Sequence, residues 1–243
     1  MNEAHENTES SHNDVAQQAA QCLPDDHASI PVMILGESGT GKSASMRLLS
    51  PENTLLIQIL NKPMPFKSNH WKEKDSNGKW AKMVTDNPAQ IINAIQKTRK
   101  KTIIIDDFQY LMANQFMRSA HVKGYDKFTQ IGCDAWHIIM AATHAGHGKV
   151  IYFLSHTDTD DQGIARAKTI GKLLDDKIGL EGMFTAVLQT HVDQSAQSAK
   201  EKFRFITQNN GKNTAKSPMG LFEYDMIEND LNFVTKSIIN YYA

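Results

Sequence analysis

The stretch that most limits how this chain can fold is PVMILGESGTGKSASMRLLS, residues 31 to 50. An apolar run, Val32 to Leu35, leads into a glycine-rich turn, and apolar residues with helical spacing follow the turn. The turn matches the pattern G-x-x-x-x-G-K-[ST] without substitution, in the strand, loop and helix context that a phosphate-binding loop requires. The sequence therefore predicts a buried strand, a loop that binds nucleotide phosphates, and a helix in direct succession.

The residue types in this turn explain how it would bind phosphate. Glycines let successive backbone N–H groups surround phosphate oxygens, and the start of a following helix adds partial positive charge. Lys42 is expected to reach the β- and γ-phosphates as a catalytic cation, and the Ser43 hydroxyl to ligate Mg²⁺. The expected cofactors are thus ATP and Mg²⁺. The full set expected to hold the nucleotide is Gly36, Glu37, Ser38, Gly39, Thr40, Gly41, Lys42, Ser43 and Ala44.

A second motif, KTIIIDDFQYL, supplies the carboxylate that a magnesium-nucleotide site needs on a neighbouring strand. Thr102 to Ile105 form a β-branched run, typical of a strand buried on both faces of a parallel sheet. Asp106 and Asp107 follow at its carboxyl end. We assign Asp106 to the Mg²⁺ shell, directly or through water, and Asp107 is the nearest candidate to polarise the attacking water.

Length and composition set the class of protein. The chain has 243 residues, of which 40% are hydrophobic, enough for one substantial core. It contains no run of about eighteen apolar residues, so we expect no membrane association and a cytoplasmic location. Cys22 and Cys133 are too few and too isolated for a disulfide framework or a zinc cluster.

The first 28 residues differ from the rest in charge. They contain six acidic residues and no Lys or Arg, whereas the whole chain has a net charge of −1, so the remainder is basic. We predict a disordered acidic tail over residues 1–28 and a single nucleotide-binding domain over residues 29–243. Two interpretations stay open: the tail competes with a polyanion for the domain, or it is a solvated leader with no role.

The order of elements predicts the fold class. Strands are predicted at 53–61, 149–161, 184–193 and 201–210, helices at 87–101 and 128–146, a loop at 111–127, and a closing amphipathic segment at 231–242. Alternating strands and helices indicate an α/β fold with a mostly parallel central sheet flanked by helices. The strand-rich region after residue 184 favours added antiparallel strands over the helical lid of an AAA+ ATPase.

The motifs together resemble those of RecA-like P-loop ATPases encoded by bacteriophages, small single-domain proteins associated with single-strand annealing and recombination. The resemblance covers about residues 30–225 and rests on GESGTGKS, TIIIDDF, VIYFLSHTD, AVLQTHVD and NTAKSPMGLF. It implies a RecA-like fold, assembly into a ring or filament, and a polar γ-phosphate sensor at Ser155 or His156. It also implies a cation supplied by a neighbouring subunit, for which Arg204 and Lys216 are the candidates.

The chain departs from the RecA-like pattern at one catalytic position. Such enzymes usually place a Glu at the end of the second core strand to activate water, and this chain has Gln58 and Asn61 near that position. Either Asp107 takes the role of the base, or hydrolysis is slow.

The segment from Lys62 to Lys82 suggests a partner, because it carries six lysines against two acidic residues with tryptophans between them. Lysines neutralise phosphates and aromatic rings stack on bases, a combination suited to single-stranded DNA. The alternative is a solvated hairpin whose tryptophans pack on the body. The resemblance adds residues 111–127 and 158–172 as DNA-contacting loops. The expected DNA-binding residues are Lys67, Trp71, Lys72, Lys74, Lys79, Trp80, Arg118 and Lys123.

Three functions agree with these patterns. The first is a RecA-like ATPase that acts on single-stranded DNA in phage-type recombination or replication, as an oligomer and with a possible protein partner. The second is an AAA+ helicase loader or a similar remodelling ATPase. The third is a nucleotide-gated DNA-binding module that hydrolyses ATP poorly.

Overall fold

The computed structural model of the chain describes residues 29–171, Leu174 and residues 178–243. The predicted acidic tail, residues 1–28, and Lys172 of the second predicted DNA loop lie outside the described residues. No helix of the described part is long and apolar enough to cross a membrane.

The described residues form ten strands and five α-helices. The strands are β1 (Ile30–Leu35), β2 (Thr54–Gln58), β3 (Lys82–Val84), β4 (Thr102–Asp106), β5 (Val150–Ser155), β6 (Thr157–Thr159), β7 (Ala165–Ala167), β8 (Ala186–Val192), β9 (Phe203–Ile206) and β10 (Met226–Glu228). The helices are α1 (Pro88–Lys97), α2 (Gln109–Arg118), α3 (Asp126–Thr143), α4 (Ala199–Lys202) and α5 (Leu231–Tyr241), and 3-10 helices span Ser43–Leu48, Asn69–Lys72 and Leu180–Met183.

Eight of the strands form one sheet in the order β10-β9-β8-β1-β5-β4-β2-β3. The strands from β8 to β3 in this order are parallel, whereas β9 is antiparallel to both β8 and β10. Strands β6 and β7 pair separately as an antiparallel hairpin. The predicted α/β class, with a mostly parallel central sheet, flanking helices and added antiparallel strands, is confirmed at this level.

Alternating side chains of the buried strands pack into two cores, one on each face of the sheet. On β4, for example, Ile103 and Ile105 pack with residues of α1, α2 and α3, whereas Ile104 packs on the opposite face with Met46 and residues of α5. A strand covered on both faces is apolar along most of its length, because every second residue meets one layer and the others meet the second. This explains the uninterrupted apolar runs of β1, β4 and β5.

The predicted helix after the glycine-rich loop is present as a short 3-10 helix. Residues Ser43–Leu48 form a 3-10 helix, and Leu49 already has extended backbone angles. Pro51 lies two residues further on, and a proline disfavours helical geometry in the residue before it. The loop is therefore followed by only about two turns of 3-10 helix, whose dipole is smaller than that of a long α-helix.

The predicted loop at 111–127 is wrong over most of its length. Helix α2 occupies Gln109–Arg118, with Leu111 and Met112 buried, and only residues 119–125 lie between α2 and α3. Polar Gln and Asn residues obscure the apolar spacing in this helix, so its pattern is weak. The predicted strand at 149–161 likewise ends at Ser155, because Thr157 to Thr159 belong to the separate hairpin.

Strands β3, β7 and β10 were not predicted. Each is three residues long, which is too short for an alternating pattern to be recognised. The remaining predicted strands and helices are present, with their ends shifted by a few residues.

Candidate nucleotide-binding site

The phosphate loop follows β1 at the centre of the sheet, and its path depends on contact with β8. A Cβ atom added to Gly36 would lie 1.7 Å from the Thr190 hydroxyl oxygen, so no other residue fits there. Gly41 has φ = 98°, a left-handed value that side chains rarely adopt. The Thr40 and Thr190 hydroxyls lie 2.6 Å apart. Thr190, which the sequence did not single out, thus packs against the loop at Gly36 and Thr40.

Lys42 is folded back onto the loop that it belongs to. Its Nζ donates hydrogen bonds to the carbonyl oxygens of Gly36 and Glu37, both at 2.7 Å, and the residue is 6% exposed. Burial lowers the pKa of Lys42 to about 8, although the charges of Asp107 and Asp106 oppose the shift. A phosphate group would offer this cation full negative charge in place of two neutral carbonyls.

Ser43 and Asp106 join the loop to the carboxyl end of β4. The Ser43 hydroxyl donates to Oδ1 of Asp106 at 2.9 Å, and Asp106 is 1% exposed. Its other oxygen, Oδ2, is buried and has no hydrogen-bond partner. Burial, followed by the charge of Asp107, raises the pKa of Asp106 to about 6. An unpartnered buried carboxylate oxygen beside a hydroxyl is a fitting place for a cation.

These two residues fit the shell of a magnesium ion that a nucleotide brings with it. Mg²⁺ is commonly bound by one or two protein oxygens, with phosphate oxygens and waters completing the octahedron. Among the described residues there is no group of three or more His, Cys, Asp or Glu side chains that could hold a metal by themselves. Ser43 and Asp106 would therefore hold the ion only together with the phosphates.

Asp107 is held in an unusual conformation by several contacts. It has φ = 62°, the only left-handed non-glycine residue in the described chain, and is 2% exposed. Its Oδ2 forms an ion pair with Nζ of Lys62, from the segment after β2, and Oδ1 lies 4.0 Å from Nε2 of His156. Backbone strain of this kind persists where surrounding contacts impose it and is frequent at functional sites.

Lys62 and His156 differ in the direction of their pKa shifts. Burial alone would lower the pKa of Lys62, but the hydrogen bond and charge of Asp107 outweigh it, so this pKa lies above its usual value. Burial, followed by the charge of Lys42, lowers the pKa of His156. At neutral pH Lys42 and Lys62 thus carry positive charge here, and His156 is neutral.

The carboxyl ends of β5 and β2 complete the candidate site, which we call the corner and which also contains Lys42, Ser43, Asp106, Asp107 and Lys62. The side-chain oxygen of Gln109 accepts from Ser155 Oγ at 3.4 Å and from the His156 backbone N–H at 3.2 Å. Gln58 pairs in register with Asp106 across β2 and β4 and is 1% exposed. An amide cannot take a proton from water, so Gln58 is no substitute for a glutamate base. Sequence reasoning missed Gln109 and Lys62, which have no motif and are brought here by the fold.

The structure places Arg204 and Lys216 outside this corner. Arg204 lies on β9, paired with His191 and Glu228, and its Nη2 donates to the Met226 carbonyl at 3.4 Å. Lys216 bridges to Val187 of β8 through its backbone. Burial lowers the pKa of Lys216, and the charge of Glu181 opposes this. Within the described residues, neither side chain forms a hydrogen bond or ion pair with residues 36–43 of its own chain, so a role toward a neighbouring subunit stays a prediction.

The residues predicted to bind DNA divide into two groups. Trp71 is 2% exposed and packs in the core on the same face as Met46, so the prediction that its ring stacks on a base is wrong for this conformation. Trp80 is 58% exposed, with Nζ of Lys74 5.5 Å from its ring centroid. Arg118 forms an ion pair with Asp86 at 2.6 Å. Exposed lysines complete the predicted set: Lys67, Lys72, Lys79 and Lys123.

Comparison with models of known protein families finds no match for this chain, and comparison with curated proteins finds none either. What the site does must therefore be argued from its own geometry.

Proposed function

We propose that the chain is an Mg²⁺-dependent ATPase of the phage RecA-like type that acts on single-stranded DNA, as an oligomer, in recombination or replication. The observation that carries the proposal is the Ser43–Asp106 contact beside a buried carboxylate oxygen with no partner. A loop serine joined to a carboxylate at the end of another strand of the same parallel sheet is the arrangement in which P-loop enzymes hold Mg²⁺.

The loop residues have defined tasks in ATP binding. Backbone N–H groups between Gly36 and Ser43 surround the phosphates, and Lys42 exchanges the carbonyls of Gly36 and Glu37 for phosphate oxygens. Mg²⁺, when bound with the nucleotide, neutralises charge on the β- and γ-phosphate oxygens. Binding of this kind depends on charge inside a site with little water, where electrostatic interactions are strong.

Asp107 is the residue best placed to orient and deprotonate the attacking water. It is the second carboxylate of the corner, and Gln58 at the end of β2 cannot act as a base. Ser155 and His156 lie at the end of β5 next to Asp107, where a polar group would respond to the γ-phosphate. Gln109 fixes both residues through its side-chain oxygen.

The sheet supports the RecA-like type over the loader. In residues 178–243, all of them described, β8 is followed by β9, β10 and only one helix longer than four residues, α5. A three-helix lid, which would favour the AAA+ loader, does not occur in this part of the chain. The antiparallel strands extend the sheet, as expected of the RecA-like type.

Single-stranded DNA is proposed as the partner because of the exposed part of the basic segment. Trp80 offers an exposed ring with Lys74 beside it, and Lys67 and Lys79 of the same segment are also exposed. Stacking and phosphate neutralisation need no base-specific contact, which suits a strand of any sequence.

One observation favours a second function, a nucleotide-gated DNA-binding module with weak hydrolysis. Gln58 replaces the expected glutamate, and Asp107 is already paired with Lys62. If turnover at an ordinary rate is lost in Asp107→Ala, this second function is excluded.

The deciding experiment is steady-state ATP hydrolysis with and without single-stranded DNA, with Lys42→Ala as the blank. Stimulation by DNA that disappears in Lys42→Ala supports the proposal. Hydrolysis that needs Lys42 but is indifferent to DNA directs attention to a protein partner and to the loader. Equal rates in the wild type and in Lys42→Ala would contradict an ATPase at this site.

A further inference from the structure

A cavity of about 430 Å³ lies beside the nucleotide corner, between the segment after β2 and strand β3. Three lysines line it, Lys62, Lys72 and Lys82, and no acidic side chain is among the described residues of its lining. Within the described chain, neither Lys72 nor Lys82 forms an ion pair. The carboxylate of Asp75, in the same segment, forms an ion pair with Lys100 at 2.8 Å and not with a lysine of the cavity. Two of the three lysines, Lys72 and Lys82, therefore have no carboxylate partner within the described chain.

Trp71 contributes a second and independent observation. It is 2% exposed and lines the cavity, and its indole N–H has no hydrogen-bond partner. A buried donor without a partner is uncommon in folded proteins and calls for an explanation. This N–H is closed to solvent, so Trp71 contributes a buried ring to the cavity wall, and filling the cavity would change the surroundings of that ring.

Lys62 belongs both to this cavity and to the corner. It lines the cavity, its side chain is 44% exposed, and its Nζ is paired with Asp107. While the pair is intact, Lys62 occupies Oδ2 of Asp107, so that oxygen is not available to a water molecule. The flexible side chain of Lys62 thus lies between the Asp107 carboxylate on one side and the cavity on the other.

We propose that the cavity binds a phosphate group of a single DNA strand, and that this phosphate draws Lys62 away from Asp107 and so releases the base. The device makes hydrolysis depend on DNA, and it rests on the proposed function, in which Asp107 activates water. Lysine suits the task because its ammonium is a compact charge on a flexible stem. Lys62 is a positioning residue here, since it acts through Asp107.

The first test compares Lys62→Met with Lys62→Arg and with the matched control Lys236→Ala, an exposed lysine on α5. In Lys62→Met, we expect DNA-free hydrolysis to rise by about tenfold or more, with little further effect of oligothymidylate, because the base is free from the start. Lys62→Arg, which can still pair with Asp107, should retain stimulation by DNA, and Lys236→Ala should behave like the wild type.

Two outcomes of this test overturn the proposal. In one, Lys62→Met binds fluorescent ATP normally but is inactive with and without DNA, which would place Lys62 on the nucleotide. In the other, Lys62→Met keeps a low basal rate and full stimulation by DNA. If the wild type has no Lys42-dependent hydrolysis, the proposed function itself fails, and the second test then decides the cavity alone.

The second test needs no hydrolysis. In a Trp80→Phe, Trp136→Phe variant, Trp71 is the remaining tryptophan, and its emission reports on the cavity. We expect oligothymidylate to change this emission, and Lys82→Ala to shift the midpoint to higher DNA concentration. A response to pyrophosphate but not to oligothymidylate would overturn the DNA assignment in favour of a free phosphate compound. No response to either probe would overturn the site.

Discussion

The candidate nucleotide site and the basic segment, residues 62–82, are both rich in charge, but they differ in exposure to solvent. Lys42, Asp106 and Asp107 are at most 6% exposed, whereas most lysines of the segment are exposed and Trp80 is 58% exposed. Charges in the corner interact in a medium of low polarity, and charges on the segment are screened by water and salt. Single substitutions should therefore have large effects in the corner and small ones on the segment.

Two residues of the segment do not follow this division. Trp71 is buried in the core, and Lys62 pairs with Asp107. The division between buried and exposed side chains therefore falls within the segment. Substitutions on its two sides should differ in their effect on stability and binding.

Trp71→Ala should behave as a core substitution and lower the free energy of unfolding by about 3–5 kcal/mol, because it leaves a large cavity among packed side chains. Urea unfolding followed by circular dichroism measures this. The matched control is Trp80→Ala in the same segment, which loses only an exposed ring and its contact with Lys74, worth less than about 1 kcal/mol. Equal losses in the two variants would contradict the division.

Asp106→Asn should stabilise the protein at pH 7 while it abolishes Mg²⁺-dependent hydrolysis. The pKa of Asp106 is raised from its ordinary value of 3.8 to about 6, so its ionised form is destabilising in the folded state. Two pKa units correspond to about 2–3 kcal/mol at pH 7. The penalty is complete above pH 6 and disappears as pH falls toward the ordinary value.

The measurement is the difference in thermal stability between Asp106→Asn and the wild type at several pH values. The difference should shrink between pH 6 and pH 4, and Mg²⁺-ATP should stabilise the wild type more than the variant. A stability difference that is constant with pH would show that ionisation of Asp106 does not destabilise the folded protein.

ATP affinity should fall as pH rises through about 8, because the cationic form of Lys42 binds phosphate and burial lowers the pKa of Lys42 to about 8. The free protein has mostly lost this proton at pH 9, so the expected decrease from pH 7 is about tenfold. The pKa of Lys62 is shifted upward, so Lys62 stays charged over this range. Titration with fluorescent ATP measures the effect, and constant affinity up to pH 9 would contradict it.

Trp80→Ala should weaken binding of single-stranded DNA by about fivefold, the loss of roughly 1 kcal/mol from one base stacked on an exposed ring. Fluorescence anisotropy with a labelled oligonucleotide measures this, at several salt concentrations. Trp80→Phe, which keeps an aromatic face, is the control and should bind nearly as well as the wild type. Unchanged binding in Trp80→Ala would remove the exposed ring from the DNA surface.

Much of the corner was predictable because backbone geometry and chain order suffice to build it. Gly36 to Ser43 are contiguous, and their function depends on N–H groups that every residue has and on glycines that allow the turn. Asp106 follows an unbroken apolar run, and the carboxyl ends of neighbouring parallel strands meet at the same edge of a sheet. Only β5 separates β1 from β4, so Ser43 and Asp106 come into contact across its end, although the sequence did not show which strand lies between them.

The basic segment was harder to predict because its pattern has no period. Trp71 and Trp80 are the same residue type nine positions apart in similar surroundings, yet one is in the core and one is exposed. Local sequence does not decide which ring packs, because that depends on the space left beside Leu56 and Ala81 on that face of the sheet. Helix α2 was missed for a related reason, since its few buried residues are separated by polar ones.

By itself, the sequence determined the phosphate loop, the strand that carries Asp106 and the mostly parallel sheet, because each depends on contiguous residues or on the order of elements. Only the tertiary structure decided that Thr190 supports Gly36, that Gln109 holds Ser155 and His156, and that Lys62 pairs with Asp107. These contacts join residues far apart in the chain, and their partners are chosen by the packing of the sheet and not by any local pattern.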